Sequence, residues 1–270
     1  MNLRFQSILA LLFLLNLHFA AAQAELKLIE TFELRADYFK ADHLGNIYTI
    51  NGSTLSRYTH NGDFTFEYTN SAAGDLSSVD VSDPLRILLF FKDQRLIILL
   101  NQQLAEITDP IYLDDLEFYN VPAVCNTSHN RIWLFDQQNF RLVQLNKDLK
   151  VVQHGNSVMS IFRENDRLTQ LIEHNNQLYM NVPSRGILVF DQFGSYLKTN
   201  PILQSSSISI SEDYLLFINK EQEMGIYSLS MLDQYQVKTN NDIGIECAQI
   251  INKHIYISDK QKVYEYSFEK

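Results

Sequence analysis

Seven histidines, two cysteines and a run of acidic residues carry most of the chemistry this 270-residue sequence could offer. His43, His129, His174 and His254 each fall in a turn that follows a short alternating segment. Four imidazoles on one rim could gather a metal ion. Their spacing argues otherwise: they sit in separate repeats, with no His-x-His or His-x3-His pair and no carboxylate at a fixed offset. They are expected to be solvated turn residues, and no metal site is assigned. Asp114 and Asp115 lie side by side within the acidic stretch 109–117. Paired carboxylates serve as acid and base in glycosidases, but neighbours on a strand point to opposite sides, so a solvated loop is the simpler expectation. Gly-x-Ser-x-Gly, His-Glu-x-x-His, Cys-x-x-Cys, Gly-rich phosphate loops and EF-type calcium loops are all absent. No catalytic residue and no cofactor is therefore assigned.

Those residues have to be positioned by elements that repeat. Alternating strands rich in Ile, Tyr, Phe and Val recur between polar turns such as Asn61-Gly62-Asp63, Asn146-Lys147-Asp148 and Asp191-Gln192-Phe193-Gly194. Aligning the first apolar residue of the second strand of each unit gives Ile47, Ile87, Ile132, Leu178, Leu215 and Ile255. The intervals are 40, 45, 46, 37 and 40 residues. Six period-two units of about 42 residues each fit four-stranded propeller blades. The reading is all-β: a six-bladed β-propeller over residues 25–270. Five blades with extra edge strands is the alternative.

The ends bear on closure and compartment. Residues 1–22 have a basic start, an apolar stretch and a small-residue exit, the pattern of a cleaved signal peptide. The sixth unit runs out after three strands, while residues 26–32 form a strand that belongs to no earlier unit. Joining the two completes the last blade and removes an open edge. A leader ending there takes Arg4 with it, leaving 21 basic against 32 acidic residues, a formal charge of −11. That balance repels phosphate backbones and argues against nucleic acid as partner. Cys125 and Cys247 fall on the innermost strands of opposite blades, too far apart for a disulfide. Asn51-Gly52-Ser53 and Asn126-Thr127-Ser128 match glycosylation acceptors.

The connection 107–121, between the second and third blades, is longer than its counterparts. It interleaves Tyr112, Leu113, Leu116, Phe118 and Tyr119 with Asp114, Asp115 and Glu117. Aromatic and apolar side chains mixed with charge suit a partner interface. A longer outer strand with its turn is the other reading.

Ser78-Val-Asp-Val-Ser-Asp-Pro-Leu-Arg-Ile-Leu-Leu-Phe-Phe-Lys-Asp93, continued by Arg95-Leu-Ile-Ile-Leu-Leu-Asn-Gln-Gln-Leu-Ala-Glu-Ile107, resembles periplasmic propellers of the Bacteroidota. Among these it is most similar to the plug subunits of the type IX secretion translocon. The resemblance covers about 30 residues of one blade and brings no catalytic motif with it. It implies a non-catalytic, outer-membrane-associated periplasmic protein that docks on a large outer-membrane β-barrel and seals its opening. A general ligand- or peptide-binding propeller is the alternative, and a propeller hydrolase or lyase a distant third.

Overall fold

The computed structural model describes residues 23–127, 129–163, 165–239 and 243–268, with side chains from residue 26 onward. The leader assigned to residues 1–22 lies outside the described residues. β1 (Gln23–Phe32) comes first. Blade one is β2 (Tyr38–Ala41), β3 (Ile47–Asn51), β4 (Thr54–Tyr58) and β5 (Phe64–Thr69). Blade two is β6 (Ser78–Asp80), β7 (Ile87–Phe91), β8 (Leu96–Leu100) and β9 (Ile111–Tyr112). Blade three is β10 (Val124–Asn126), β11 (Ile132–Asp136), β12 (Arg141–Leu145) and β13 (Val151–His154). Blade four is β14 (Gln170–His174), β15 (Gln177–Val182), β16 (Gly186–Phe190) and β17 (Tyr196–Asn200). Blade five is β18 (Ser205–Ser211), β19 (Tyr214–Asn219), β20 (Met224–Ser228) and β21 (Gln234–Lys238). Blade six is β22 (Cys247–Ile251), β23 (His254–Ser258) and β24 (Val263–Phe268), completed by β1. The six-bladed reading holds, and the five-bladed alternative does not.

Burial explains the strand sequences. The two middle strands of a blade are covered on both faces, so they read as continuous apolar runs; all five residues of β7 and of β8 are buried. Outer strands face solvent and carry mixed residues, as in β5 and β13. The core is not one mass. It divides into six clusters, each lying between neighbouring blades: Leu55 with Ile87, Phe90 with Ile132, Phe135 with Leu178, Val189 with Leu215, Ile226 with Ile255, and Val263 with Ile47. The six repeat-marking residues Ile47, Ile87, Ile132, Leu178, Leu215 and Ile255 are all fully buried in these clusters.

Two devices lock the ring. The first is closure: β1 runs antiparallel to β24 from Leu26 opposite Phe268 to Phe32 opposite Val263. Its first residues, 23–25, also pair in parallel with residues 236–238 of β21, fusing blades five and six into one eight-stranded sheet. The second is the turn between third and fourth strands. In blades one to four it opens with Thr59, Asn101, Asn146 or Asp191. Their side-chain oxygens accept the N–H groups two and four residues on, at 2.8–3.3 Å. The turn then leans on the preceding blade. A Cβ at Gly62 (φ +82°) would lie 2.9 Å from the Phe32 ring. One at Gly194 (φ +76°) would lie 2.9 Å from Gly155. Only glycine meets both the left-handed backbone and the close approach.

Candidate functional site

Three places concentrate polar side chains: the central channel, a pocket between blades three and four, and the blade two–three connection. The innermost strands β2, β6, β10, β14, β18 and β22 line a channel cavity of about 630 Å³. Single polar residues stitch these strands together across blades. Gln249 accepts from the Ala41 N–H (2.8 Å) and donates to its carbonyl (2.9 Å). Gln170 makes the same pair of bonds to the Ile208 N–H (2.7 Å) and carbonyl (3.2 Å). The Asp80 carboxylate accepts the Asn126 N–H at 2.8 Å, and the Ser209 hydroxyl accepts the Ile250 N–H at 3.1 Å. Asn126 is buried against Arg86 (2.6 Å), which closes it to glycosylation in the folded protein.

The histidines lie at the turns between the first and second strands, as expected. His43 and His174 line the channel, and the His174 Nε2 is 2.8 Å from the Glu212 carbonyl oxygen. His254 has a carboxylate beside it: its Nδ1 lies 2.6 Å from Glu265 Oε1, which also accepts from the Tyr256 hydroxyl at 3.2 Å. The partner comes from the adjacent strand β24, so no local spacing could announce it. Among the described residues no group of three His, Cys, Asp or Glu side chains is placed to hold a metal ion. Cys125 and Cys247 are free, on the inner strands of opposite blades three and six, and burial pushes both thiols upward. Such thiols are poor nucleophiles.

The second pocket, about 210 Å³, was not anticipated. Arg131, Gln144, Glu173, Asn176 and Gln192 surround it above Trp133 and Leu178. Arg131 Nη1 donates to Gln144 Oε1 at 2.9 Å. The lone Trp was the available signal, but it reads equally as core, and it is 1% exposed.

The structure divides the residues picked out in the connection 107–121. Leu113 and Phe118 are buried with Ile111 and Val121 in the cluster between blades two and three, and Leu116 packs against that cluster. Asp114 accepts both Nε and Nη2 of Arg95, which holds its carboxyl below the usual range. Tyr112, Asp115 and Tyr119 remain outward, the two rings 50% and 59% exposed. The outer strand is two residues long, not the longer strand expected, and is followed by a 3-10 turn that leaves Tyr112 and Tyr119 exposed.

Among propellers of known structure, the chain is similar to the Neurospora crassa Pan2 WD40 domain (TM-score 0.57, 9% identity, 87% of this chain and 90% of that one). It is also similar to BamB from Moraxella catarrhalis (TM-score 0.54, 11% identity, 90% and 100% covered). A streptogramin B lyase matches with TM-score 0.60, 10% identity and 89% and 97% covered. At such identities the likeness shows the propeller fold and nothing finer; the six blades are read from the chain's own sheets. No protein-family model matches the sequence, and neither does any curated protein.

Proposed function

We propose that this chain is a non-catalytic periplasmic propeller that docks on an outer-membrane protein-secretion channel of the type IX class and occludes it. One observation carries the docking. Connections from the outer strand of one blade to the inner strand of the next all emerge on a single face. Over three consecutive junctions they present large exposed apolar side chains: Tyr119 after blade two, Met159 after blade three and Leu203 after blade four. Tyr112 adjoins this sector. Interfaces draw most of their affinity from a few such anchors. A closed ring with a core at every junction is a rigid body suited to sealing an opening. The resemblance of residues 78–107 supplies the class of partner.

The test is affinity capture of the tagged chain from envelopes of its own host, with two variants alongside. A large outer-membrane β-barrel should co-purify. It should be lost with Tyr119→Ser/Met159→Ser/Leu203→Ser and kept with Leu44→Ser/Leu85→Ser, which alters exposed residues of the opposite face. Adding the propeller to the reconstituted barrel should lower its conductance. Loss with the second variant alone, or unchanged conductance, refutes the reading.

A further inference from the structure

Between blades three and four, one buried position departs from the pattern of its neighbours. Alternate residues of each third strand face the next blade. In blade two Leu99, opposite Leu88, is buried against blade three; in blade four Val189, opposite Tyr179, is buried against blade five. In blade three the same place, opposite Trp133, is held by Gln144. Gln144 is 7% exposed, and beside it the junction opens into the cavity of about 210 Å³. Its carbonyl oxygen accepts from Arg131 Nη1 at 2.9 Å, but its amide N–H groups meet no acceptor among the described residues. A buried amide in that state is destabilising unless something entering the cavity completes it. The rest of the wall has unused capacity too. Arg131 is exposed and forms no ion pair among the described residues. One Glu173 oxygen accepts the Asn176 N–H at 2.9 Å, leaving the other open. The Thr127 hydroxyl accepts two backbone N–H groups, each at 3.2 Å, and retains its own proton to donate. The exposed side chains of Asn176 and Gln192 stand at the rim beside His129. In the channel, by contrast, Gln170 and Gln249 are fully occupied by the backbone of the adjoining blade.

We propose that this pocket binds a single sugar ring, with the Gln144 amide donating to one of its hydroxyl oxygens. Three features select that class. The wall offers donors and acceptors together, mostly on planar groups: the amides of Gln144, Asn176 and Gln192, the Arg131 guanidinium and the Glu173 carboxylate. A hydroxyl both donates and accepts, so adjacent hydroxyls on a ring engage such edges in pairs. Arg131 and Glu173 bring opposite charges, which favours neither a simple anion nor a simple cation. The floor, Trp133 and Leu178, is apolar and small, and suits the C–H face of a ring. Size narrows the choice further: about 210 Å³ is below the roughly 300–1,000 Å³ of pockets for drug-sized ligands. The pocket opens on the face where first and second strands turn, away from Tyr119, Met159 and Leu203. The inference therefore does not rest on the docking role and can fail separately from it.

Trp133 is the chain's single tryptophan, so its emission reports on this pocket alone. The full chain would be titrated with glucose, galactose, mannose and N-acetylglucosamine, each as the free sugar and as its methyl glycoside, and with glycine as a zwitterionic control. Binding would be followed by saturation-transfer NMR on the ligand and by Trp133 emission. At least one sugar should give saturation transfer and a saturable emission change at millimolar concentration. A glycoside that binds as well as its free sugar identifies the end of a glycan as the source, and a preference for the free form identifies a free monosaccharide. Gln144→Leu, which installs the residue that blade two buries at this place, should weaken binding at least about tenfold without lowering the melting temperature. Should that variant fail to fold, Asn176→Ala/Gln192→Ala alters only exposed side chains and should weaken binding several-fold with an unchanged melt. No sugar bound by either measurement, glycine bound in place of the sugars, or sugar binding undiminished in the folded variants would each overturn the assignment.

Discussion

Blade six receives its outer strand from the far end of the chain, ten residues long, whereas blade two grows its own, only two residues long. In blade six, β1 pairs with β24 through both ends of its register and reaches β21 beyond. In blade two the edge of β8 is covered piecemeal. Leu100 bridges to Glu106, the Ile107 N–H donates to the Leu99 carbonyl at 2.9 Å, and β9 pairs only with Leu96 and Ile97. Residues 108–110 bulge outward between these contacts. The chain then folds into a 3-10 turn, Leu113–Leu116, pinned by the Leu113 N–H on the Arg95 carbonyl (2.9 Å) and by Arg95 on Asp114. The same edge problem thus has two solutions. A long strand seals with backbone and carries stability. A short strand seals with Leu113 and Phe118 beneath and leaves Tyr112 and Tyr119 outside, available to a partner.

If that division holds, removing the closing strand has the largest effect. Deleting residues 25–34 uncovers β24 and withdraws Leu26 and Phe32, each worth about 1.5–3 kcal/mol of burial. The truncated chain should aggregate and lose its cooperative melt in circular dichroism. A monomer that melts like the wild type would make β1 dispensable and dissolve the contrast.

Phe118→Ala comes next. The ring is 7% exposed and packed in the cluster between blades two and three. Truncation should cost about 3–5 kcal/mol in denaturant unfolding. A cost under about 1 kcal/mol would show that the ring is surface, and that blade two carries recognition without a core beneath it.

The acid limb separates the blades by charge. In blade six, burial pushes the Asp259 carboxyl upward. The N–H groups of Lys262 (2.8 Å) and Gln261 (2.9 Å) and the Tyr264 hydroxyl (2.9 Å) outweigh it, holding the group below the ordinary range. A carboxylate depressed in the folded state stabilises at pH above its unfolded value, near 4, and that contribution disappears as pH falls through the folded value. Asp259→Asn should therefore lower the melting temperature at pH 7 and flatten its decline toward pH 3. Asp114→Asn, in a solvent-exposed pair, should do neither at physiological salt. Equal acid limbs for the wild type and Asp259→Asn would remove the turn from the account.

Legibility followed the same division. A six-fold repeat of short strands marked every blade, with middle strands such as β7 and β8 reading as apolar runs because both their faces are buried, and the six aligned residues fell in the core. Closure was legible because an orphan strand at one end matched a missing strand at the other. The contacts between blades were not. Gln170 and Gln249 look like any surface glutamine until the neighbouring backbone stands 2.7–3.2 Å away. Glu265 lies eleven residues from His254, across a hairpin rather than at a recognisable spacing. The acidic connection misled in part because interleaved aromatics carry no sign of which rings turn inward. Phe118 and Tyr119 are adjacent in the irregular stretch after the 3-10 turn, and one is buried in the core while the other faces solvent.

The smallest effect on folding, and the sharpest on recognition, belongs to Tyr112→Ser/Tyr119→Ser. Both rings are half or more exposed, so their loss should move unfolding by no more than about 0.5 kcal/mol each. Exposed aromatic anchors cost on the order of 2 kcal/mol or more apiece when an interface loses them. Affinity for the captured outer-membrane barrel should therefore fall at least about a hundredfold. Phe64→Ser is the matched control. Phe64 is as exposed as Tyr119, at 59%, but sits on the full-length outer strand of blade one. It should leave binding unchanged, because an outer strand that completes its own blade leaves no side-chain-sealed edge. Binding lost equally with Phe64→Ser would make exposed aromatics interchangeable around the rim and blade two unexceptional. Binding kept by the Tyr112→Ser/Tyr119→Ser variant would move recognition along the same face to Met159 and Leu203, and leave the shortened strand as an architectural variation only.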